Sequence, residues 1–419
     1  FSVLRTVFII VPGTIPYIYI PAAYCITEFR QIPGFFVPKF LNSKDYKNSS
    51  LLYNFFINNR YFLIKEVKYM PKIPFSEKEL NIVGSYTLPG VYGMPTVTYP
   101  RYDYPITPKE NMELMMSGKL PVWIPNQWRD NNIICPYVVP DFYARAFGGT
   151  DWFGIEWQYE PLSKAGMVKP GTRRLSDITR WKEEIVFPDI HAIDWEKDVQ
   201  DNYSMLPNDR FTYFVIQNGI FERIADLTSF EDTFLYLLTE QEALSEFLDA
   251  LVDWHIEFMK VAKKYYHADM ILWHDDMGSQ KAPFFSPDLF RKIYLPQYKK
   301  ITKACHDEGM YIALHSCGNV GLQIPNFVEA GFDAWEGQDS ANDRTAIMEE
   351  YGSRLGQVGN FIIEGDLTDE EAVEEIHKLV EGRARNGHFA CRFSDNRPNK
   401  GSVDLEAELY RCSRIFYSK

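Results

Sequence analysis

The sequence has little cysteine, no low-complexity tract and no glycine-rich phosphate loop, and each absence narrows what the protein is. Its six cysteines, Cys25, Cys135, Cys305, Cys317, Cys391 and Cys412, are scattered through 419 residues, unlike the dense disulfide framework of a small secreted domain. A reducing, cytoplasmic location is expected. Basic residues are outnumbered, 44 Lys and Arg against 57 Asp and Glu, for a net charge of −13. That balance argues against general affinity for nucleic acid or an anionic membrane. What is present is a chain 46% hydrophobic and 24% charged, the make-up of a globular protein with one large core or two moderate ones. Its expected partner is a small molecule or another protein.

The first 69 residues differ from the rest. They are crowded with Phe, Tyr, Ile and Asn and show neither helical periodicity nor strand alternation. The stretch from Phe8 to Ile26 is uncharged, but Pro12, Gly13, Pro16 and Pro21 interrupt it, so no stable membrane insertion is expected. Lys65-Glu66-Val67 precedes Met70 and is encodable by a ribosome-binding sequence. Residues 1–69 are therefore expected to be translated upstream sequence outside the core, with a start at Met70.

From Met70 the pattern alternates. Thr107-Pro108-Lys109-Glu110 combines an N-cap hydroxyl, Pro at the first helical position and Glu at N3, which predicts a helix start. Buried strands are predicted at 120–125, 211–216, 270–274, 310–315, 332–336, 355–358 and 388–393. Helices are predicted around 240–266, 287–307 and 368–385, opened by Ser286-Pro287 and by the Thr368 to Glu371 capping box, with Ser402 capping the last helix. Helices between strands imply parallel pairing with right-handed crossovers. Without an early phosphate loop, and with Asn218, Asp275, His315 and Glu336 recurring at strand ends, an α/β fold of the (β/α)8 TIM-barrel type is preferred to a doubly wound sheet. The expected division is an N-terminal elaboration with the first barrel elements over 70–205, and the remainder of the barrel, with the site, over 206–419.

His315-Ser316-Cys317-Gly318-Asn319 carries the chemistry. Residues i and i+2 of an extended strand face the same side, so the imidazole and the thiol reach one point in space. Neutral His nitrogen and Cys thiolate suit zinc, whose catalytic sites hold three protein ligands and an exchangeable position. Asp275 and Asp276 follow another apolar strand, and at least one is expected at the barrel mouth as a proton acceptor or an orienting carboxylate. The acidic cluster from Asp369 to Glu375 reads as a solvated helix face, favourable to the macrodipole.

Four segments taken together resemble the uroporphyrinogen decarboxylase superfamily, in particular its zinc-dependent, corrinoid-linked methyltransferases. They are Thr107-Pro108-Lys109-Glu110 leading to Pro121-Val122-Trp123-Ile124-Pro125, Asp151-Trp152-Phe153-Gly154-Ile155-Glu156-Trp157, His274-Asp275-Asp276-Met277-Gly278-Ser279-Gln280, and the His315 to Asn319 segment. The resemblance implies a (β/α)8 barrel that moves a methyl group between a small thiol, methyl ether or methylated amine and a corrinoid carried by a partner protein. It implies zinc on His315 and Cys317, completed by Glu336, by Cys391 or by neither. Asp151, Glu156, Trp157 and Gln280 within these segments, and Asn218 at a strand end, are expected to face substrate, with Asp275 and Asp276 catalytic. The Arg-Gln-Ala-Gly-Arg segment with which the decarboxylases bind tetrapyrrole propionates is absent. A tetrapyrrole decarboxylase and a non-catalytic corrinoid or small-molecule binding protein are the competing readings.

Overall fold

The computed structural model describes residues 73–90, 95–162 and 165–419 and, before them, the backbone of four short strands, Thr6–Ile9 paired with Ile18–Pro21 and Asn54–Ile57 paired with Arg60–Leu63. By its internal contacts the chain divides into two units, Phe1–Pro71 and Lys72–Lys419. The expectation for residues 1–69 otherwise lies outside the described residues.

Seven strands of the second unit form one parallel sheet: β1 (Asn131–Ile134), β2 (Phe211–Ile216), β3 (Met270–His274), β4 (Tyr311–Ser316), β5 (Ala334–Gly337), β6 (Gly356–Ile363) and β7 (Phe389–Asp395). Each strand pairs with the next in sequence. The order never reverses, so every crossover adds a strand on the same side and the sheet curls instead of opening as a doubly wound sheet. Its two edges meet at a single stretch of chain. Asn126 forms a parallel bridge with Cys391 of β7, where Cys391 N–H donates to Pro125 O at 3.0 Å and Gln127 N–H to Cys391 O at 2.9 Å. Five residues later the same stretch enters β1, which pairs with β2. The (β/α)8 TIM-like class is therefore the fold, with seven strands in the continuous ladder and the Pro125–Gln127 segment closing it.

Alternation along the strands separates two apolar layers. Tyr213, Val215, Met270, Leu272, Ala313, Ala334, Val358 and Ala390 fill the interior, together with Met112 and Met115 of α1 (Pro108–Met116). Phe214, Ile216, Ile271, Trp273, Ile312, Leu314 and Trp335 face outward beneath the helices. The capping box at Thr107 and Glu110 is formed. The long helix predicted around 240–266 is α3 (Gln241–Tyr266), preceded by α2 (Ile220–Leu227), and its Leu244, Phe247, Leu248, Leu251, His255 and Phe258 recur at helical spacing on the buried side.

Three predicted features differ. Residues 120–125 form no strand of the sheet. The helix predicted over 287–307 is broken at Tyr294 into α4 (Pro287–Ile293) and α5 (Leu295–Asp307), because Pro296 has no N–H to continue the ladder. After α6 (Asp369–Glu381), the final helix α7 (Leu405–Ser418) is capped by Asp404, whose carboxylate accepts from the N–H groups of Glu406 and Ala407; the Ser402 N–H instead donates to Asp369. Among the described residues no helix is long and apolar enough to cross a membrane.

Candidate active site

The interior parity of β3, β4 and β5 fixes the site. Leu272, Ala313 and Ala334 point inward, so His274, His315 and Glu336, two residues further along each strand, do the same. Their Cα atoms are register partners, His274 with His315 and His315 with Glu336. One row across the carboxyl ends of three strands thus holds two imidazoles and a carboxylate, at the mouth where barrel sites form.

The two rings stack, with centroids 4.3 Å apart and planes at 14°. Each is held from behind by a carboxylate, and each carboxylate by an arginine. His315 Nδ1 lies 2.8 Å from Glu336 Oε1; Glu336 also pairs with Arg392 and accepts from Gln127 Nε2 at 2.6 Å. His274 Nδ1 lies 2.8 Å from Glu222 Oε2, and Arg145 lies 2.8 Å from Glu222 Oε1. Burial would raise the Glu222 carboxyl, but Arg145 and His274 outweigh it and hold it at about 2. These backing contacts place Nδ1–H of each ring on a carboxylate and leave both Nε2 lone pairs for the mouth.

His274, Asp276 and His315 offer one donor atom each within 4.8 Å of one another. His315 Nε2 is 3.7 Å from Asp276 Oδ1 and 3.4 Å from Cys317 Sγ. The Asp276 carboxylate accepts from the Cys317 N–H at 2.6 Å, which ties the His274 and His315 motifs together. Ser316 Oγ accepts from the Met277 N–H at 3.0 Å, and the Asn319 N–H donates to Ser279 O at 2.6 Å. The two loops approach so closely that a Cβ on Gly318, whose φ is +80°, would lie 2.0 Å from Gly278 O. Only glycine fits there. Two nitrogens and a carboxylate thus converge, with the thiol beside His315, and all four are donor types that zinc accepts.

Glu336 and Cys391, the two alternatives for completing the set, are both placed elsewhere than at the Nε2 side of His315. Glu336 sits against Nδ1 and is engaged by Arg392 and Gln127. Cys391 is fully buried on the outward face of β7 with Ile376, Leu405 and Leu409. Its neighbour Ala390 faces inward, so on this strand Arg392 reaches the mouth. Burial pushes the Cys391 thiol up to about 12.

Parity also divides the two aspartates. Asp276 shares the inward side with His274. Asp275 is buried on the other side, accepting from the N–H groups of Phe221 at 3.1 Å and Glu222 at 2.8 Å at the start of α2, and from the Tyr298 hydroxyl. Burial and the Glu222 charge raise its carboxyl to about 7. It anchors α2, and through it Glu222, and is removed from the mouth.

The residues expected to face substrate separate similarly. Asp151 is buried against Arg223 at 2.7 Å and accepts from the Trp157 indole at 3.2 Å; Arg223 also pairs with Asp141 at 2.6 Å. Glu156 is exposed and paired with Lys169 at 2.8 Å on a small antiparallel sheet outside the barrel. Asn218 lies behind Glu222, accepting from Arg145 and donating to Asp226 at 2.7 Å. Gln280 does reach the mouth, where its amide donates to Gln338 at 2.8 Å and Gln338 accepts from the Gly318 N–H at 3.1 Å. His274, Glu222, Arg145 and Arg392 were not selected from the sequence as site residues. His274 had a signal, since it stands at a strand end two residues before Asp276; the other three are assembled only by the fold.

Residues 205–391 match the family model described as uroporphyrinogen decarboxylase (URO-D). No curated protein matches the sequence. Among solved structures, a methyltransferase from Methanosarcina mazei is similar with a TM-score of 0.55 at 15% identity, over 74% of this chain and 99% of that one. At that identity the likeness carries the fold and nothing finer. The matched residues include the His274–Gln280 and His315–Asn319 segments and exclude the two segments before them.

Proposed function

We propose that this protein is a zinc-dependent methyltransferase that moves a methyl group between a small substrate and a corrinoid carried by a partner protein. The observation that carries the reading is the pair of stacked imidazoles, His274 and His315, each backed by a carboxylate, with Asp276 within reach of both and the Cys317 thiol 3.4 Å from His315 Nε2. His315, Cys317, Asp276 and His274 are the residues that would hold zinc. When bound there, zinc supplies Lewis acidity, which activates a thiol as a nucleophile or stabilises a departing alkoxide.

The protein's own groups prepare that site. Glu336 and Glu222 fix the tautomer and rotation of the two rings, so the donor atoms are positioned before any ligand arrives. Asp276 holds the Cys317 backbone through a charge-assisted hydrogen bond. Leu272, Ala313 and Ala334 make the barrel interior below the site apolar and buried, and this low-dielectric floor strengthens the electrostatics above it. The Gln280–Gln338 amide pair links the loops that follow β3 and β5 at the rim.

The match to a family bearing the decarboxylase name favours tetrapyrrole decarboxylation as a second reading. Arg145 and Arg392, the guanidinium groups of this site, are each committed to a carboxylate of the protein, which disfavours them as anchors for substrate propionates. The test uses purified protein with measured zinc content, cob(I)alamin or methylcobalamin, and a panel of coenzyme M, homocysteine, methanol, methylamines, a quaternary amine and methoxylated aromatics. Zinc near one equivalent at this site and an optical change between the two cobalamins with one panel member are expected, both lost in Cys317→Ala. Zinc-independent release of carbon dioxide from uroporphyrinogen, with no methyl transfer across the panel, would replace this reading with the decarboxylase.

A further inference from the structure

A second group of zinc-type donors lies on the outer helical layer, on residues the methyl-transfer reading does not use. His377 belongs to α6; Glu408 and Cys412 belong to α7, four residues apart and so on one face of that helix. The two helices pack together. Cys412 Sγ lies 3.7 Å from His377 Nε2 and 3.2 Å from Glu408 Oε1, and one donor atom of each residue falls within 4.8 Å of the others.

The spacing can be compared with what zinc requires. Bond lengths of about 2.3 Å to sulfur and about 2.0 Å to nitrogen or oxygen, in tetrahedral geometry, put sulfur about 3.5 Å from either other donor. The observed separations bracket that value, so small rotamer adjustments would suffice. The second carboxylate oxygen of Glu408 is engaged by Arg411, which fixes the carboxylate while Oε1 turns toward the thiol. Cys412 is buried, Glu408 is half-buried and His377 is exposed. A cation held by the three would be supported from inside and reachable from solvent.

We propose that His377, Glu408 and Cys412 form a second, peripheral zinc site that clips the C-terminal helix to α6. The Cys412 S–H, which otherwise donates to Glu408, releases its proton as the thiolate binds, and no redox change is involved. The site is independent of the barrel mouth and stands or falls separately from the proposed reaction.

The experiment measures zinc per chain after dialysis of the full-length protein and of His377→Gln, Cys412→Ala, Cys317→Ser and His377→Gln/Cys317→Ser variants. Two equivalents are expected in the parent, one in each single variant and none in the double. Because His377 is exposed, its variant should fold normally. As a second readout, zinc should raise the Tm of Cys317→Ser but not of the double variant, since a ligand that binds only the folded chain stabilises it. A single equivalent lost with Cys317→Ser and retained in His377→Gln overturns this site while sparing the central one. A single equivalent with the opposite dependence supports this site and removes zinc from the barrel mouth.

Discussion

Glu336→Gln is the substitution that best tests how the mouth is built. The side chain keeps its size and an acceptor oxygen, but loses the charge that meets His315 Nδ1 and Arg392. If Glu336 orients His315 from behind, zinc remains coordinated and its affinity falls by about 10- to 100-fold, the usual cost of removing a carboxylate behind a ligating imidazole. That range is about 1.4–2.7 kcal/mol. If Glu336 were itself a ligand, most of the zinc at the mouth would be lost, as in Cys317→Ala. Competition with a chromophoric chelator gives the affinity directly, and far-UV circular dichroism with urea unfolding checks that the barrel persists. Glu222→Gln should weaken zinc by a similar factor through His274, because the two halves of the stack are built alike. Cys391→Ser is the contrasting control. It places a hydroxyl in the apolar layer around Ile376 and Leu409, so it should cost about 1–3 kcal/mol of stability and leave zinc unchanged. Unaltered zinc affinity in both glutamate variants, with zinc lost in Cys391→Ser, would refute the assignment of backing and binding roles.

The sequence made most of the barrel legible because its strands are short apolar runs set between strong helix signals, and the predicted 211–216 and 270–274 coincide with β2 and β3. It hid β1, which is four residues long and begins with Asn131-Asn132, so neither length nor composition marks it. Extended-strand parity was enough to put His315 and Cys317 together, and the same parity pairs His274 with Asp276 and sends Asp275 outward. Register across strands was not legible. Only pairing of β3, β4 and β5 reveals that His274, His315 and Glu336 form one row. Parity of β7 likewise needs the fold, since nothing in Ala390-Cys391-Arg392 says which side chain faces the lumen. Glu222 and Arg145 are remoter still: they come from helices outside the strands, and a buried carboxylate earns its role only from the imidazole it meets.

Two further outcomes follow from charges buried behind the mouth. Arg223 lies fully buried between Asp141 and Asp151, so Arg223→Met leaves two carboxylates without their cation and should cost about 3–5 kcal/mol in urea unfolding; a loss below about 1 kcal/mol would show that the pairing contributes little. The remaining prediction concerns pH. His255 is buried in α3, with its ring nitrogens near Leu251 O at 2.9 Å and Asn218 O at 3.2 Å. Burial, aided by Arg223, lowers it to about 3, against about 6.5 in an unfolded chain. Between those values the unfolded state binds the proton and the folded state does not, so stability is full above about pH 6.5 and declines as the pH falls toward 3. At pH 5 the loss from this residue alone is about 2 kcal/mol, being 1.5 pH units at about 1.4 kcal/mol each. Other groups titrate in the same window, so the measurement is a difference: urea unfolding at pH 7 and pH 5 for the parent and for His255→Gln. The variant should be less stable at pH 7 yet lose about 2 kcal/mol less than the parent on acidification. Equal losses in the two proteins would mean that His255 takes up its proton in the fold as readily as in the unfolded chain.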